Sequence, residues 1–348
     1  MKKYLIHIAV FLLMLTPASH AAYIDTDAEV AVVIDGHTGK VLFSKDKDKK
    51  TYPASMTKIM TTLIIFEKLA NETLSLDDKF LVSEKAWRER EGSSMFVEVD
   101  KEIRVEDLLR GIIVQSGNDA CIVVAENIAG TEESFAKMMT QKAKEIGMKN
   151  TNFTNSTGMY DKDNYSTVYD IALLSMHLIN EYPQYYHLFA ETEFEWSGIK
   201  QNNRNSLLYK NMGVDGLKTG HLSKSGYGLA ASAVDQNRRV ISVVNGFEST
   251  QKRTQGSSRL ITWAFREFTN LKLFEKEDIV GQVEISGASS KESDVSTGEE
   301  ITITIQKSKR DELTTSIVVD DNISAPLNAG DKVGYLEISV PGEESQTY

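Results

Sequence analysis

The chain has 348 residues, of which 41% are hydrophobic and 26% charged, the composition of a globular protein of about two domains rather than of a disordered chain or a polytopic membrane protein. Its formal net charge of −11 argues against a nucleic-acid binder that relies on a basic surface. Its one cysteine, Cys121, excludes an intrachain disulfide and any zinc or iron–sulfur site built from cysteines.

The first 21 residues have the pattern of a signal peptide. Lys2 and Lys3 precede the run Leu5–Leu15, which is apolar except for His7, and Ser19–Ala21 ends the segment as a small-x-small cleavage site. The run is too short for a spanning helix, although an uncleaved N-terminal anchor is the alternative. We therefore predict a signal peptide at 1–21 and an exported mature chain.

The next 250 or so residues alternate between strand and helix patterns. A hairpin is predicted over 29–44, around the turn-forming cluster Asp35–Gly39. Helical periodicity follows Pro53 and returns at 106–145 and 168–181. These helices would separate the N-terminal hairpin from the strands that follow.

Strand patterns return from 214 to 246, with Gln236-Asn237 as a turn, and a last helix is predicted at about 251–269. Strands at both ends with helices between them indicate an α/β (α+β) domain. Its single antiparallel sheet would be formed by the two ends of the domain, with helices packed on it. We assign this catalytic domain to 22–270.

The composition changes after Leu271, where short strand patterns alternate with Ser-, Gly- and Asp-rich turns, including 286–298. This spacing predicts a small all-β domain at 271–348. We expect it to be incomplete if the chain continues beyond the given sequence. The predicted strands are Val280–Ile285, Glu300–Ile305, Thr314–Val319 and Val333–Val340.

The strongest chemical signal is Ser55-Met56-Thr57-Lys58, at the start of the helix after Pro53. A spacing of three places Ser55 and Lys58 on one helix face, so that the amine can reach the hydroxyl. A serine becomes a good nucleophile when a base takes its proton, and a lysine serves as that base when burial or a neighbouring cation lowers its pKa. The motif alone is weak, since four other serines match it: Ser44, Ser134, Ser197 and Ser249.

Two further segments supply partners for this pair. Ser116-Gly117-Asn118 offers a hydroxyl and an amide between helical segments, and Lys218-Thr219-Gly220 precedes a predicted strand. Each alone reads as an ordinary turn or helix cap. Together, in this order and in these settings, the three are much more specific.

With the longer stretches Pro53–Lys58, Gln115–Cys121 and Asp215–His221, the chain resembles the penicillin-recognising serine enzymes, the class of the β-lactamases and penicillin-binding proteins. Within that class it is most similar to the low-molecular-mass D-alanyl-D-alanine carboxypeptidases. The resemblance covers about 27 to 340. It implies the transpeptidase-like fold of that class, followed by a β-domain.

The resemblance implies a serine acyl-transfer mechanism with no metal and no cofactor. Ser55 would attack the carbonyl between two terminal D-alanines of a peptidoglycan stem peptide, and Lys58 would be the general base. Ser116 would relay a proton to the departing D-alanine. Backbone N–H groups of Ser55 and His221 would form the oxyanion hole, and penicillins would acylate the same serine.

The resemblance also assigns substrate-binding roles. Asn118 would bind the substrate backbone and help to position Lys58. Lys218 would keep the site positive, and so keep Lys58 partly neutral. Thr219 and Arg253 would bind the terminal carboxylate, and Gly220 would let the ligand lie close to the strand.

Three weaker expectations concern the surroundings of the site. Arg204 and Asp170 would pair to brace it. Gly92–Phe96 would form a loop near the cleft. Cys121 would be a buried, inert residue rather than a nucleophile.

Several alternatives stay open. A class A β-lactamase would need a deacylating carboxylate, usually in Glu-x-x-Leu-Asn, which is absent between 119 and 217. A DD-endopeptidase or a non-catalytic penicillin-binding scaffold protein would keep the same motifs. We expect stem peptides and β-lactams as partners and no nucleic acid, in the periplasm or on the outer face of the bacterial cytoplasmic membrane. The membrane surface would be a partner only if a C-terminal anchor is missing from this sequence.

Overall fold

The computed structural model describes residues 3–6, 24–89, 91–288 and 292–348. It divides into a larger unit, Ile24–Phe265, and a smaller unit in which the strand Lys3–Ile6 pairs with part of Arg266–Tyr348. The predicted signal peptide lies outside the described residues except for the strand Lys3–Ile6. None of the helices in the described ranges combines the length and the apolar character that crossing a membrane requires.

The strands follow one another along the chain as β1 (Lys3–Ile6), β2 (Val30–Asp35), β3 (Val41–Lys45), β4 (Lys79–Leu81), β5 (Glu102–Arg104), β6 (Glu193–Trp196), β7 (Ile199–Asn202), β8 (Val214–Leu222), β9 (Gly226–Asp235), β10 (Arg238–Phe247), β11 (Phe268–Phe274), β12 (Ile279–Val283), β13 (Ser293–Ser296), β14 (Ile301–Gln306), β15 (Thr314–Val319), β16 (Gly334–Ser339) and β17 (Gln346–Thr347). The α-helices are α1 (Lys58–Ala70), α2 (Glu84–Arg88), α3 (Val105–Ile113), α4 (Asn118–Ala129), α5 (Glu132–Glu145), α6 (Val168–Glu181), α7 (Pro183–Tyr186) and α8 (Thr250–Glu267). Short 3₁₀ turns cover Ala54–Thr57, His187–Ala190, Ser206–Tyr209 and Lys307–Glu312.

The larger unit is organised around an antiparallel five-stranded sheet in the order β3-β2-β10-β9-β8. The N-terminal hairpin therefore pairs with a strand from the far end of the unit, as predicted. Gln236 and Asn237 join β9 to β10 with φ of 47° and 65°, the left-handed backbone that a two-residue hairpin turn requires. Strand β8 lies at the edge of the sheet, with one side free of strand pairing among the described residues.

Helix α1 runs through the interior of the larger unit. Its apolar residues are buried on every side, including Ile59, Met60, Leu63 and Phe66. A helix that is apolar all round belongs in a core rather than on a surface. Each buried side chain of this size contributes roughly 2 kcal/mol relative to exposure. As a result, Lys58 at the first position of α1 is carried into the interior.

The predicted helical stretch 106–145 consists of three helices, α3, α4 and α5. Helix α3 ends at Ile113, and α4 begins at Asn118 after a break that contains Ser116 at φ 62°. Helix α5 begins after Thr131, whose hydroxyl caps it by accepting a hydrogen bond from Ser134 N at 3.1 Å. The other predicted helices occur at α6 and α8.

The smaller unit is mostly β-structure, as predicted. Its strands form a sheet in the order β1-β15-β16-β17 and the pairs β11-β14 and β12-β13. The apolar core includes Val283, Ile301, Ile303, Ile305 and Ile338.

Two local predictions in this region were wrong. Helix α8 ends at Glu267, and Phe268 already belongs to β11, because Phe268–Phe274 pairs with β14 instead of extending the helix. The stretch 286–298, expected to be turns, contains β13, which pairs with β12.

Candidate active site

The serine of the first motif lies in a tight turn at the entrance to α1. Ser55 belongs to the 3₁₀ turn Ala54–Thr57, and Ala54 before it has φ 51°, an uncommon backbone for a residue with a side chain. Lys58 follows as the first residue of α1. The spacing of three brings Lys58 Nζ to 3.2 Å from Ser55 Oγ. The amine is therefore close enough to exchange a proton with the hydroxyl.

Three acceptors surround the buried amine of Lys58, which is 1% exposed. Besides Ser55 Oγ, Lys58 Nζ donates to Asn118 Oδ1 at 2.7 Å and to the carbonyl of Thr157 at 2.6 Å. Burial lowers the pKa of Lys58, because the ammonium form loses its hydration. The acceptors fix the position of the nitrogen beside Ser55, and burial favours the neutral form that a base requires.

The carbonyl of Thr157 is a part of the site that sequence reasoning missed. Asn155 Oδ1 accepts hydrogen bonds from Thr157 N at 3.3 Å and from Gly158 N at 2.7 Å, which folds the segment into a turn. Gly158 has φ 79°, and a Cβ there would lie 1.9 Å from the carbonyl oxygen of Ala54. The Asn-x-x-Gly spacing indicates a turn, but nothing in it indicates that a carbonyl faces the lysine.

Asn118 starts α4 and is held by the neighbouring loop. Its backbone N donates to Ser93 O at 2.7 Å, and its side-chain Nδ2 donates to Glu91 O at 2.8 Å. The predicted loop at 92–96 thus lies beside Asn118. Ser116, two residues earlier, is buried, and its hydroxyl forms no hydrogen bond to Ser55 or Lys58 within the described part of the chain.

The third motif lies on the edge strand β8 and runs past the nucleophile. A Cβ on Gly220 would lie 2.7 Å from the carbonyl oxygen of Pro53 and 3.2 Å from Cβ of Ala54, so only glycine allows this approach. The next residue, His221, stacks on Tyr227 with ring centroids 4.0 Å apart. Strand β8 therefore brings its backbone against the turn that carries Ser55.

Two more buried cations lie on the β8 side of the site. Lys218 is 3% exposed and Arg253, on α8, is 4% exposed. Burial lowers the pKa of Lys218 well below its usual value, and the charges of Lys58 and Arg204 lower it further. Burial also lowers the pKa of Arg253 to about 10.

These two cations have few protein partners. Arg253 donates to the carbonyl of Arg204 at 3.3 Å, but its Nε has no hydrogen-bond partner in the described structure. No described residue accepts a hydrogen bond from Lys218 Nζ. Uncompensated buried cations are costly, so this side of the site is suited to an anion.

One predicted pairing was wrong. Asp170 accepts hydrogen bonds from Asn150 N at 2.8 Å and Thr151 Oγ1 at 2.7 Å, whereas Arg204 donates to the hydroxyl of Ser93. The two residues therefore serve different segments, because Asp170 binds the backbone and side chain of residues 150–151, whereas Arg204 binds the loop that contains Ser93.

Cys121 is fully buried, and burial raises the pKa of its thiol to about 12. Such a thiol stays protonated near neutral pH and is a poor nucleophile. The expectation of an inert, buried cysteine agrees with this environment.

Comparisons with known proteins agree on one family. The family model described as D-alanyl-D-alanine carboxypeptidase matches residues 16–249, and the one described as the C-terminal domain of penicillin-binding protein 5 matches residues 268–348. The chain is 36% identical to D-alanyl-D-alanine carboxypeptidase DacF of Bacillus subtilis over 326 residues, which are 91% of this chain and 82% of the relative.

Two further similarities are of the same kind. The chain is 35% identical to D-alanyl-D-alanine carboxypeptidase DacD of Escherichia coli over 314 residues, covering 88% of this chain and 81% of that protein. Among solved structures, penicillin binding protein 5 from Haemophilus influenzae superposes with a TM-score of 0.88 at 33% identity, covering 94% of this chain and 97% of the other.

Proposed function

Because the chain belongs to the D-alanyl-D-alanine carboxypeptidase family, we propose that it removes the terminal D-alanine from peptidoglycan stem pentapeptides through an acyl-enzyme on Ser55. The observation that carries the proposal is the contact between Lys58 Nζ, Ser55 Oγ and Asn118 Oδ1. It provides a nucleophile, a buried base and an amide that orients the base, which are the parts that serine acyl transfer needs.

In the acylation step, Lys58 Nζ takes the proton of Ser55 as Oγ attacks the carbonyl carbon of the penultimate D-alanine. The negative charge on the carbonyl oxygen is stabilised by the backbone N–H groups of Ser55 and His221. Support for this pair comes from Gly220, which packs against Pro53 and Ala54 and so brings β8 alongside the turn of Ser55. Collapse of the intermediate breaks the C–N bond.

Ser116 relays a proton to the nitrogen of the departing D-alanine. Ser116 is a buried residue, and its hydroxyl forms no described hydrogen bond to Ser55 or Lys58, so it is available for a group that arrives with the substrate. Water then attacks the ester carbonyl and gives up a proton to Lys58, which releases the shortened peptide and restores Ser55.

The carboxylate of the terminal D-alanine is bound by Lys218, Thr219 and Arg253. Support for this role comes from two buried cations: Arg253, whose Nε has no hydrogen-bond partner among the described residues, and Lys218, whose side-chain amine forms no described hydrogen bond. A bound carboxylate stabilises the ammonium form of Lys218, whose pKa burial otherwise holds down. Gly220 leaves room for the ligand backbone beside the strand, and Asn118 binds its amide.

The same site is acylated by β-lactams, whose strained amide takes the place of the peptide bond. Residues 1–21 direct the chain out of the cytoplasm, to the periplasm or the outer face of the cytoplasmic membrane, where the peptidoglycan substrate is found. The larger unit carries the chemistry, and we assign the catalytic domain to 22–270 and a β-rich domain to 271–348.

The proposal is tested with Ser55→Ala. We expect this variant to lose covalent labelling by a fluorescent penicillin and release of D-alanine from a pentapeptide, with an unfolding temperature close to that of the wild type. Ser134→Ala is the matched control, since Ser134 has the same Ser-x-x-Lys spacing on helix α5 but is exposed. Mass spectrometry of the adduct identifies the acylated residue. Labelling that persists in Ser55→Ala would show that the nucleophile is a different residue.

A further inference from the structure

The residue after Asn118 is a buried carboxylate with an unusually full set of hydrogen bonds. Asp119 is 1% exposed and lies in the first turn of α4. Its Oδ1 accepts from Met95 N at 2.8 Å and from Ala120 N at 2.9 Å. Its Oδ2 accepts from the backbone N of Phe96 at 2.8 Å and of Val97 at 3.1 Å.

A fifth donor completes the set, since Ser94 Oγ donates to Oδ2 of Asp119 at 2.6 Å. Four of the five donors therefore come from one loop, Ser94–Val97. Capping of α4 alone would require only the bond to its own helix. The carboxylate is built to hold the loop against the helix.

The held loop continues into the groups that orient the site. Ser93 O accepts the backbone N–H of Asn118, Glu91 O accepts its side-chain amide, and the hydroxyl of Ser93 contacts Arg204. Asn118 Oδ1 in turn contacts Lys58 Nζ at 2.7 Å. Displacement of the loop would thus be passed on to the amine beside the nucleophile.

The backbone at this contact shows what the arrangement costs. Phe96 has φ 68°, a backbone conformation that a bulky residue rarely adopts, and the residue is 41% exposed, so burial offsets little of that strain. Strain of this kind persists where the surroundings impose it, and it concentrates at functional sites. The loop and the start of α4 also approach each other closely at Gly117, where a Cβ would lie 2.8 Å from Asp119 Oδ1 and 3.0 Å from Met95 N.

We propose that Asp119 is a positioning residue for acylation, which anchors the Ser94–Val97 loop and thereby sets the placement of Asn118 against Lys58. The inference rests on the proposed function, because it concerns the same serine and base. Asp119 does not touch the reacting atoms in this arrangement. Its effect reaches them through the loop carbonyls and the Asn118 amide.

The charge of Asp119 gives a second readout. The charged and titratable groups around Lys58 are Asp119 and Cys121 of α4, Glu132 of α5, Arg204, and Lys218 of β8. The negative charge of Asp119 raises the pKa of Lys58 against the lowering by burial and by Arg204. Removing that charge therefore lowers the pKa of Lys58. The acylation rate constant should then begin to rise with pH at a lower pH than in wild type.

The experiment compares full-length wild type with Asp119→Asn, Ser94→Ala and Asp35→Asn. The rate constant of acylation by a fluorescent penicillin is measured across pH, with the unfolding temperature of each variant. Asp35→Asn is the matched control, because Asp35 is a fully buried carboxylate that also holds a turn, through His37 N and Thr38 N, at the other end of the sheet.

We expect Asp119→Asn to lower the acylation rate constant about 100-fold, the scale of a small misplacement of reacting groups, and to shift the rising limb to lower pH. Ser94→Ala, which loses one of the five bonds, should show a severalfold loss. The acylation rate constant of Asp35→Asn should stay within about twofold of wild type when it is assayed below the unfolding transition, since this substitution leaves the geometry of the active site intact.

Two results would overturn the proposal. One is a folded Asp119→Asn that acylates as fast as wild type. The other is a loss of acylation rate in Asp119→Asn without any shift of the pH midpoint, if Asp35→Asn shows the same loss of rate when it is destabilised to the same extent. If Asp119→Asn does not fold, Ser94→Ala decides, and a wild-type rate in that variant refutes the anchoring role. Failure of wild type itself to be labelled would instead refute the proposed function.

Discussion

The two units of the chain differ in the kinds of polar side chain that they bury. The larger unit buries Lys58, Asp119, Lys218 and Arg253 around one serine. In the smaller unit, the buried polar side chains among the residues described there are all threonines: Thr297, Thr304 and Thr315. Burying charge costs free energy unless it is paired, so a fold selected for stability alone avoids it.

The comparison separates two reasons for burying a side chain. Residues such as Ile303 of the smaller unit are buried because their removal from water stabilises the fold. Lys58 and Lys218 are buried in spite of the cost, because a low pKa and a strong field require the absence of water. Substitutions in the two units should therefore move activity and stability independently.

The largest effect is expected from Lys58→Met, which removes the base and keeps a similar length. Acylation by a fluorescent penicillin should fall about 1,000-fold, within the range of general-base contributions. The unfolding temperature should change little, because removing the cost of burying the amine offsets the loss of the bonds to Asn118 and Thr157. If the variant unfolds at a much lower temperature but is still acylated rapidly, Lys58 is buried for stability rather than for catalysis.

The second effect belongs to the smaller unit. Ile303→Ala creates a cavity in its core and should lower the free energy of unfolding by about 3 kcal/mol. Calorimetry measures the loss, and a penicillin-binding assay below the transition should give the wild-type rate. A large fall in acylation by the folded variant would mean that the β-rich unit contributes to the chemistry.

The third prediction, Lys218→Met, should lower acylation about 100-fold through loss of the cation facing the substrate carboxylate. At neutral pH the same variant should be more stable than wild type, because no described hydrogen bond of Lys218 is lost and a buried charge is removed.

The pH dependence of that stability difference has a definite sign. Burial puts the pKa of Lys218 in the folded protein well below the ordinary 10.5. Wild type is therefore penalised below the folded pKa, and the penalty disappears as pH rises towards 10.5. The advantage of Lys218→Met should shrink over that window in thermal unfolding experiments. A difference that stays constant would mean that Lys218 titrates alike in the folded and unfolded chain.

Much of the fold could be predicted because its signals are local. The spacing of Ser55 and Lys58, the periodicity of α1 and the turn at Gln236-Asn237 each depend on a few neighbouring residues. The boundary between α8 and β11 could not be predicted, because Phe268 fits an apolar helix face as well as a strand, and the pairing with β14 decides between them.

The site divides in the same way. Its side-chain chemistry could be predicted from motifs, whereas its backbone contributions could not. Any residue can supply a carbonyl, so the role of Thr157 O has no signature in the residue type. The anchoring contacts of Asp119 were missed for a related reason, since four of their five donors lie some 20 residues away along the chain.

The order of strands in the central sheet also bears on how the protein is made. Val30 faces Asn245 in the β2–β10 ladder. The first hairpin of the larger unit can therefore pair with β10 only after nearly the whole unit has been synthesised. Contacts this distant along the chain make folding slow, because the entropy of closing a long loop is lost before the contacts form and stabilise the chain. The β2–β10 ladder is therefore expected to close late, after most of the larger unit has been made.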